Sequence, residues 1–467
     1  MRRSSNVADV AAVALPRSLS LAFASLLVVG LACADSDPFN TNLGAGGSIG
    51  TTAKGGNGGS GGASATGGTT GGGGKGGGAA GATVTGGRGG NAGSSAGAGG
   101  SAGGAAGRGG TTGTGGATTW NAGNPNGSCS GGLPAKAQAA STANATVIGT
   151  GTATSCTFAA LQTAVTAGGV FTFNCGADPM TIKVTATLNI PSTKNTVIDG
   201  GRKITLDGGG AVQIMRFYSG NYRANDNGLT LQHIAMINGK TSPTEAIPTA
   251  PAPCSQGYND GEGGALYMRD GNLTVVDSIF TNNQGAPLGP DTGGGAIYVL
   301  GSKNGVFISG STFTNNQASN AGAVGGLQSP LNIYNSLFTG NKAIGHDANN
   351  NEPSKCSAIN NDQNETGSGG NGGAIYSDGE SVNLVVCGNS ITNNAAGANA
   401  FGGGLFFTSN DFGGTLSIAD TTMTGNTGGH WTQAQSGSVT NAGTAVGTNC
   451  KSLTISNSTI QGLNGVP

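Results

Sequence analysis

The sequence predicts an all-β fold: a parallel β-helix, a solenoid of stacked coils, preceded by a disordered Gly-rich tether. Three observations predict it. Short strands with apolar residues in period two recur along residues 229–464. Each recurrence opens near a Gly pair and closes on Asn. The 93 Gly fall into two groups, 36 of them within residues 44–119, where no core is encoded. No G-X-Y period runs through the chain, which excludes collagen, and Gly disfavours helices by about 1 kcal/mol per residue. With 20 basic against 21 acidic residues, the chain carries no field that would draw it to nucleic acid or anionic lipid.

Residues 1–34 read as a signal peptide. Arg2, Arg3 and Arg17 form a basic start, and Ser18–Leu31 is an apolar stretch of signal length, short for a transmembrane helix. Two cleavage sites overlap at its end. Gly30, Leu31 and Ala32 before Cys33 form a poor lipobox that would lipidate Cys33, whereas Ala32-Cys33-Ala34 is an A-x-A site that would release a chain starting at Asp35. Lipid anchoring at Cys33 is the expectation and ordinary secretion the alternative.

Residues 35–124 read as a linker. Between 44 and 119 its charges are Lys54, Lys75, Arg88 and Arg108, and it buries too little apolar surface to offset its ordering entropy. As a Gly-rich coil, about 85 residues span roughly 50 Å. Its G-x-G-x-x-G-like strings follow no strand and precede no helix, so they are products of composition.

Residues 125–467 read as the β-helix. GGALY at Gly263 leads to LTVVDSIFTNN (273–283), and GGAIY at Gly294 leads to VFISGSTFTNN (306–316). GGLQ at Gly325 reads as a degraded copy before LNIYNSLFTGN (331–341). GGAIY at Gly372 precedes LVVCGNSITNN (384–394), and GGLFF at Gly403 precedes LSIADTTMTGN (416–426). LTLQHIAMIN (229–238) is an earlier member and LTISNSTIQGLN (453–464) the last. Stacked at about 4.8 Å, such units bury one column of apolar side chains that no unit buries alone. Asn282, Asn315, Asn341, Asn393 and Asn426 are expected to stack as an internal amide ladder, and each Gly pair to form a bend with no room for Cβ. Long insertions, Gly239–Glu262 and Lys342–Gly370, fall between the Asn turn and the next Gly pair, on one side of the solenoid.

GGAI paired with F-x-x-N resembles the repeats of polymorphic outer-membrane proteins. CTFAALQ (156–162), FTFNCG (171–176), NTVIDG (195–200) and ITLDG (204–208) resemble the capping helix and first coils of right-handed β-helix proteins of the pectate-lyase-like superfamily. The resemblance covers roughly residues 150–465 and implies architecture more than activity, since the fold hosts adhesins, lyases and hydrolases. Polymorphic outer-membrane proteins end in a membrane barrel; here the last rung leads straight to Pro467, and an autotransporter is not expected.

Seven Cys follow Cys33 with no C-x-x-C pair, so disulfides are expected rather than zinc. Candidate pairs are Cys156 with Cys175 at the cap, Cys254 with Cys356 between insertions, and Cys387 with Cys450 between neighbouring rungs. Connectivity stays open, and the odd count leaves one thiol over, with Cys129 the candidate.

Lyases of the resembled superfamily hold calcium with acidic residues and remove a proton with a basic one. The weak candidates here are Arg269, Asp270 and Asp378, with Asp260, Glu262 and Asp291 ahead of the Gly pairs. Asp270-Gly271 and Asp378-Gly379 are equally turn dipeptides. Asp277 and Asp420 share a slot with Gly310, Asn335, Gly388 and Asn457, an interchange that a turn requires and catalysis does not. His233, His346 and His430 are scattered and no metal site is expected. Tyr267, Tyr298, Tyr376 and Phe406 recur after the Gly pairs and stack inside the core if they point inward, or form a sugar-stacking stripe if outward.

Signal, tether, rungs and dispersed charge together point to an exported bacterial protein of the cell envelope or outer-membrane surface, or a secreted one. Its expected role is a monomeric binding or adhesin-like module for polysaccharide or another cell-surface ligand, without cofactor, meeting the membrane through a lipid anchor alone. The alternatives are a calcium-dependent polysaccharide lyase, with Ca2+ as its cofactor, and a passive structural envelope protein.

Overall fold

The computed structural model describes residues 120–242, 261–289, 292–346, 348, 369–428 and 439–463. The expected signal peptide with Cys33, the expected Gly-rich tether up to residue 119, and Cys254, Asp260, Asp291, Cys356 and His430 lie outside the described residues.

The described chain is a parallel β-helix with three strands per coil. In one coil these are Leu266–Arg269 on the first face, Asn272–Val276 on the second and Ile279–Thr281 on the third. The next coil repeats them as Ile297–Leu300, Val306–Ser309 and Thr312–Thr314. Each strand pairs in parallel with its equivalent one coil away, as Leu266↔Ile297, Leu273↔Val306 and Phe280↔Phe313. The column starts under the helix Phe158–Thr166, whose N-terminus is capped by the Thr157 side chain accepting from Ala160 N–H and whose Leu161 and Val165 are buried one turn apart. At the other end, Val439–Ala442 adds antiparallel to the last first-face strand, Val446–Cys450.

Period-two alternation decides which side chains enter the column. Leu273, Val306, Leu331, Leu384 and Leu416 align inward on the second face, each at most 1% exposed. On the third face Phe280, Phe313 and Phe338 stack with ring centroids 4.9 and 4.7 Å apart and planes within 6°. Full burial of each ring contributes about 1.5–3 kcal/mol, and each stacked pair about 0.5–1.5 kcal/mol more.

Two polar ladders run beside the aromatic one. The buried amide ladder consists of Asn283, Asn316, Asn341, Asn394 and Asn426, with Nδ2 to Oδ1 distances of 2.9, 2.9, 2.9 and 3.0 Å. This corrects the expected register. Asn282, Asn315 and Asn393 instead occupy the preceding corner at φ 57, 55 and 58°, where Gly340 and Gly425 stand in sister coils. That position needs a left-handed backbone, and the following one needs the amide. The sequence writes both in TNN and TGN: the first site interchanges Asn with Gly and the second does not. A second ladder uses Ser278, Ser311, Ser336, Asn389, Thr421 and Ser458, each accepting from the equivalent backbone N–H one coil back, as in Ser311 N–H to Ser336 Oγ at 3.1 Å.

The Gly pair has two separate jobs. In the second full rung Gly294 turns at φ 71°, and a Cβ on Gly295 would overlap the Gly322 carbonyl of the next coil. In the third, the register sets Val324 against Ile297, so Ala321 and Gly322 replace the pair and Gly325–Gly326 lie within the strand. Ala321 takes the positive φ of 50°, and Gly325 leaves room for the Tyr298 ring, 2.5 Å from where its Cβ would be. The GGLQ pair therefore stands four residues past the position that aligns with the other Gly pairs, which corrects its reading as a degraded copy of them.

Before the first coil, Trp120–Thr142 lies on the outside as a strap. Trp120 Nε1 donates to Asp277 at 2.8 Å, Gly123 N to Thr312 Oγ1 at 2.8 Å, Asn124 N to the Asn335 carbonyl at 2.9 Å, and Ser130 N to Asp420 at 2.8 Å. With Asn124 Nδ2 donating to the Gly388 carbonyl at 3.0 Å on the coil between Asn335 and Asp420, the partners sit on successive coils and the strap climbs the corner between second and third faces. It then descends: Ser309 Oγ donates to the Ala137 carbonyl, and Gln232 pairs with both N–H and carbonyl of Ala140. The docked chain thus begins by Trp120, inside the segment that composition assigns to the linker.

Candidate functional site

Cys156 and Cys175 are bonded with Cα atoms 5.6 Å apart, at the cap. Cys387 bonds Cys129 of the strap, with Cα atoms 5.2 Å apart. This corrects both the Cys387–Cys450 pairing and the choice of Cys129 as the spare thiol. Strand alternation gives the reason: Leu384 and Val386 enter the column and Cys387 points out, whereas Cys450 points in among the core side chains. Cys450 is the free cysteine among the described residues, its thiol pushed up by burial.

Of the catalytic candidates, Arg269 and Asp270 adjoin, and Asp378 does not converge with them. Arg269 and Asp378 occupy the same lateral position on the first face, three strands apart, a separation of about 14 Å. The buried Leu300 and Leu327 lie between them. Arg269 Nε is 3.6 Å from Asp270, and its guanidinium lies 5.4 Å from the Tyr218 ring centroid, with Arg216 at 5.2 Å from the same ring. Asp270 turns at φ 56° and its N–H donates to the Leu300 carbonyl. Asp378 lies within a strand and accepts from Tyr376 Oη at 2.8 Å and Asn410 Nδ2 at 3.0 Å. Glu262 is buried beside Tyr267, whose phenol is held well above its ordinary range by burial first and that carboxylate second. Asp270 and Asp378 share no space in which both would ligate calcium.

The aromatic row is buried, yet not in the main column. Tyr267, Tyr298, Tyr376 and Phe406 alternate with the inward residues of the first face and lie on its outer side, each at most 2% exposed. Tyr376 and Phe406 stack at 5.4 Å and pack with Phe401 and Ala321 in a satellite core. A sugar-stacking stripe is excluded there because this sheet is covered on both sides.

Asp277 and Asp420 do occupy the corner, at φ 44 and 49°, alongside Gly310, Asn335, Gly388 and Asn457. They also receive the strap, and the backbone N–H of Ser130 holds the Asp420 carboxyl below its ordinary range. His233 stands in the same corner at φ 52°, with Nδ1 3.0 Å from Asp199 and Nε2 3.8 Å from Asp277. Gln232 links Asp199 to Ala140, so this cluster fastens the strap. Among the described residues one group has the composition of a metal site, Cys129, Cys387 and Asp420, but its two sulfurs are joined to each other.

The outward side of the second face carries a groove of about 240 Å³. Thr230, Thr274 and Phe307 align on consecutive coils as its floor, about 10 Å long. Lys136 of the strap forms one wall, its ammonium 5.6 Å from the Phe307 ring centroid and its carbonyl accepting from Thr274 Oγ1 at 3.3 Å. Asn195, Asn272, Asn304 and Asp226 line the opposite wall. Asn272 Oδ1 accepts from Asn304 N at 2.7 Å and its Nδ2 donates to the Asn225 and Asn227 carbonyls, which fixes the amide orientation. Hydrogen bonds from Lys303, 2.6 Å away, and from Asn304 keep the Asp226 carboxyl below its usual range. Lys136, Phe307 and the strap itself carried no sequence motif; Cys129, a lone cysteine just past the tether, was the signal available.

Comparison with protein families, with curated proteins and with solved structures finds no match for this chain.

Proposed function

We propose that the protein is an exported, surface-tethered β-helix that binds a polysaccharide or another cell-envelope polymer along the groove between the strap and the second face. The groove carries the reading: one aromatic ring and two threonines face outward on strands, Lys136 overhangs them from the strap, and amides line the other wall, a set that suits hydroxyl-rich, weakly apolar surfaces. The expected signal peptide and tether and the GGAI and F-x-x-N repeats, which resemble those of polymorphic outer-membrane proteins, support the envelope location, and the entry segment 156–208 supports a tie to pectate-lyase-like β-helices.

The test is retention of the purified chain on insoluble cellulose, chitin, xylan and cross-linked pectin and alginate, with Lys136→Ala and Phe307→Ala as groove variants. Retention by at least one polymer that falls tenfold in both variants is the expected result. Release of unsaturated product from a uronate polymer in the presence of calcium favours the lyase, and no retention at all favours a passive envelope protein.

A further inference from the structure

We propose that the Cys129–Cys387 disulfide is a redox-sensitive lock on the groove, so that polymer binding requires the oxidised chain; this rests on the groove reading above. Cys129 and Cys387 join a satellite core outside the main column that also holds Ala137 and Tyr334 and against which Phe307 packs. The bond therefore sits in the same packed cluster as the aromatic floor of the groove. Seven residues after Cys129, the strap delivers Lys136 over that ring. The other polar ties of this stretch are hydrogen bonds, from Cys129 N to Asn335 and Ser130 N to Asp420, from Thr274 and Ser309 to the Lys136 and Ala137 carbonyls, and the Gln232 pair at Ala140, each contributing about 0.5–1.5 kcal/mol net. The disulfide is of another order, because it joins residues 258 apart in sequence. Without it the strap becomes an N-terminal arm held to the solenoid by hydrogen bonds, the packing of Ala137 and the Lys136–Phe307 contact, with no covalent tie.

A dithiol opens the lock by ordinary exchange. Its thiolate attacks the partly exposed Cys129 sulfur and the Cys387 sulfur leaves to become a thiol. The second dithiol sulfur then displaces Cys129, which leaves as a thiol, and the dithiol ends as its own disulfide with two electrons transferred.

The experiment uses the full chain as oxidised wild type, as the double variant Cys129→Ser/Cys387→Ser, and as Cys156→Ser/Cys175→Ser to control for the cap bond. Two readouts are followed: tryptic cleavage after Lys136, and retention on whichever of the five polymers holds the oxidised chain. At least tenfold faster cleavage and tenfold weaker retention are expected in the first double variant, with neither change in the cap variant. Wild type treated with a small dithiol should match the first double variant and recover on reoxidation, which separates unlocking from misfolding. Unchanged cleavage, or unchanged retention despite faster cleavage, overturns the inference and leaves the groove reading standing. If no polymer retains the oxidised wild type, the groove reading itself fails and the lock on binding fails with it.

Discussion

Asn316 sits at the centre of the buried amide ladder, and replacing it with Ala tests what holds the coils in register. Its Oδ1 accepts from both the backbone N–H and the Nδ2 of Asn283, each at 2.9 Å, while its own Nδ2 donates to the Phe280 carbonyl at 3.1 Å and to Asn341 at 2.9 Å. Asn316→Ala strands two donors of Asn283, a residue with no exposed surface. Each buried unsatisfied donor costs about 1–3 kcal/mol, so the loss for two is expected at about 2–6 kcal/mol. Asn426→Ala strands the same two kinds of donor on the fully buried Asn394, but Asn426 is 7% exposed, so its removal opens the site to water, and the Asn394 Nδ2 keeps the Phe338 and Thr392 carbonyls. There the loss should be about 1–2 kcal/mol. Because solenoids unfold in parts, native-state hydrogen exchange of the coil amides is the assay, supported by urea midpoints. Equal losses at the two sites, or a loss below about 1 kcal/mol at Asn316, would refute an internally satisfied ladder as the source of register.

Three further outcomes are expected. Gly325→Ala places a methyl against the Tyr298 ring and should lower stability by about 1–3 kcal/mol, seen as a lower thermal midpoint; an unchanged midpoint contradicts the tight fit. Burial alone would raise the Asp411 carboxyl, but hydrogen bonds from the Ser381 hydroxyl, Gly413 N, Ser381 N and the Ser409 hydroxyl outweigh it and bring it down to about 2. Its stabilisation is complete above the ordinary carboxylate range and is lost as pH falls toward about 2, so Asp411→Asn should flatten the acid limb of the stability profile between about pH 4 and 2. For the anchor, wild type expressed with its signal should enter the detergent phase and Cys33→Ser should not; equal partition points to secretion.

Much of the solenoid was legible because a stacked coil repeats its constraints at every rung. Leu273, Val306, Leu331, Leu384 and Leu416 announce one inward position, and their strands pair as the repeats imply. Asn was harder to read, since it serves a left-handed corner as readily as it serves a ladder. Asn282 and Asn283 differ in backbone angle and burial, neither of which a letter records. The third Gly pair misled for a related reason: Ala321 accepts the turn and Gly325 serves the Tyr298 ring, so the visible glycines mark a close contact instead of a bend.

The sequence by itself determined the all-β class, the parallel stacking of short strands and the order of the rungs, because periodicity and turn chemistry are local and are repeated many times. It could not determine what lies on the outside of the solenoid. Only tertiary structure decided that the strap climbs the corner from Asp277 to Asp420, that Cys129 meets Cys387 across 258 residues, and that Arg269 and Asp378 stand three strands apart. These contacts join residues distant in sequence and each occurs once, so no repeat or local pattern encodes them. The groove at Lys136 and Phe307 is of that second kind, formed where a single strap crosses a periodic face.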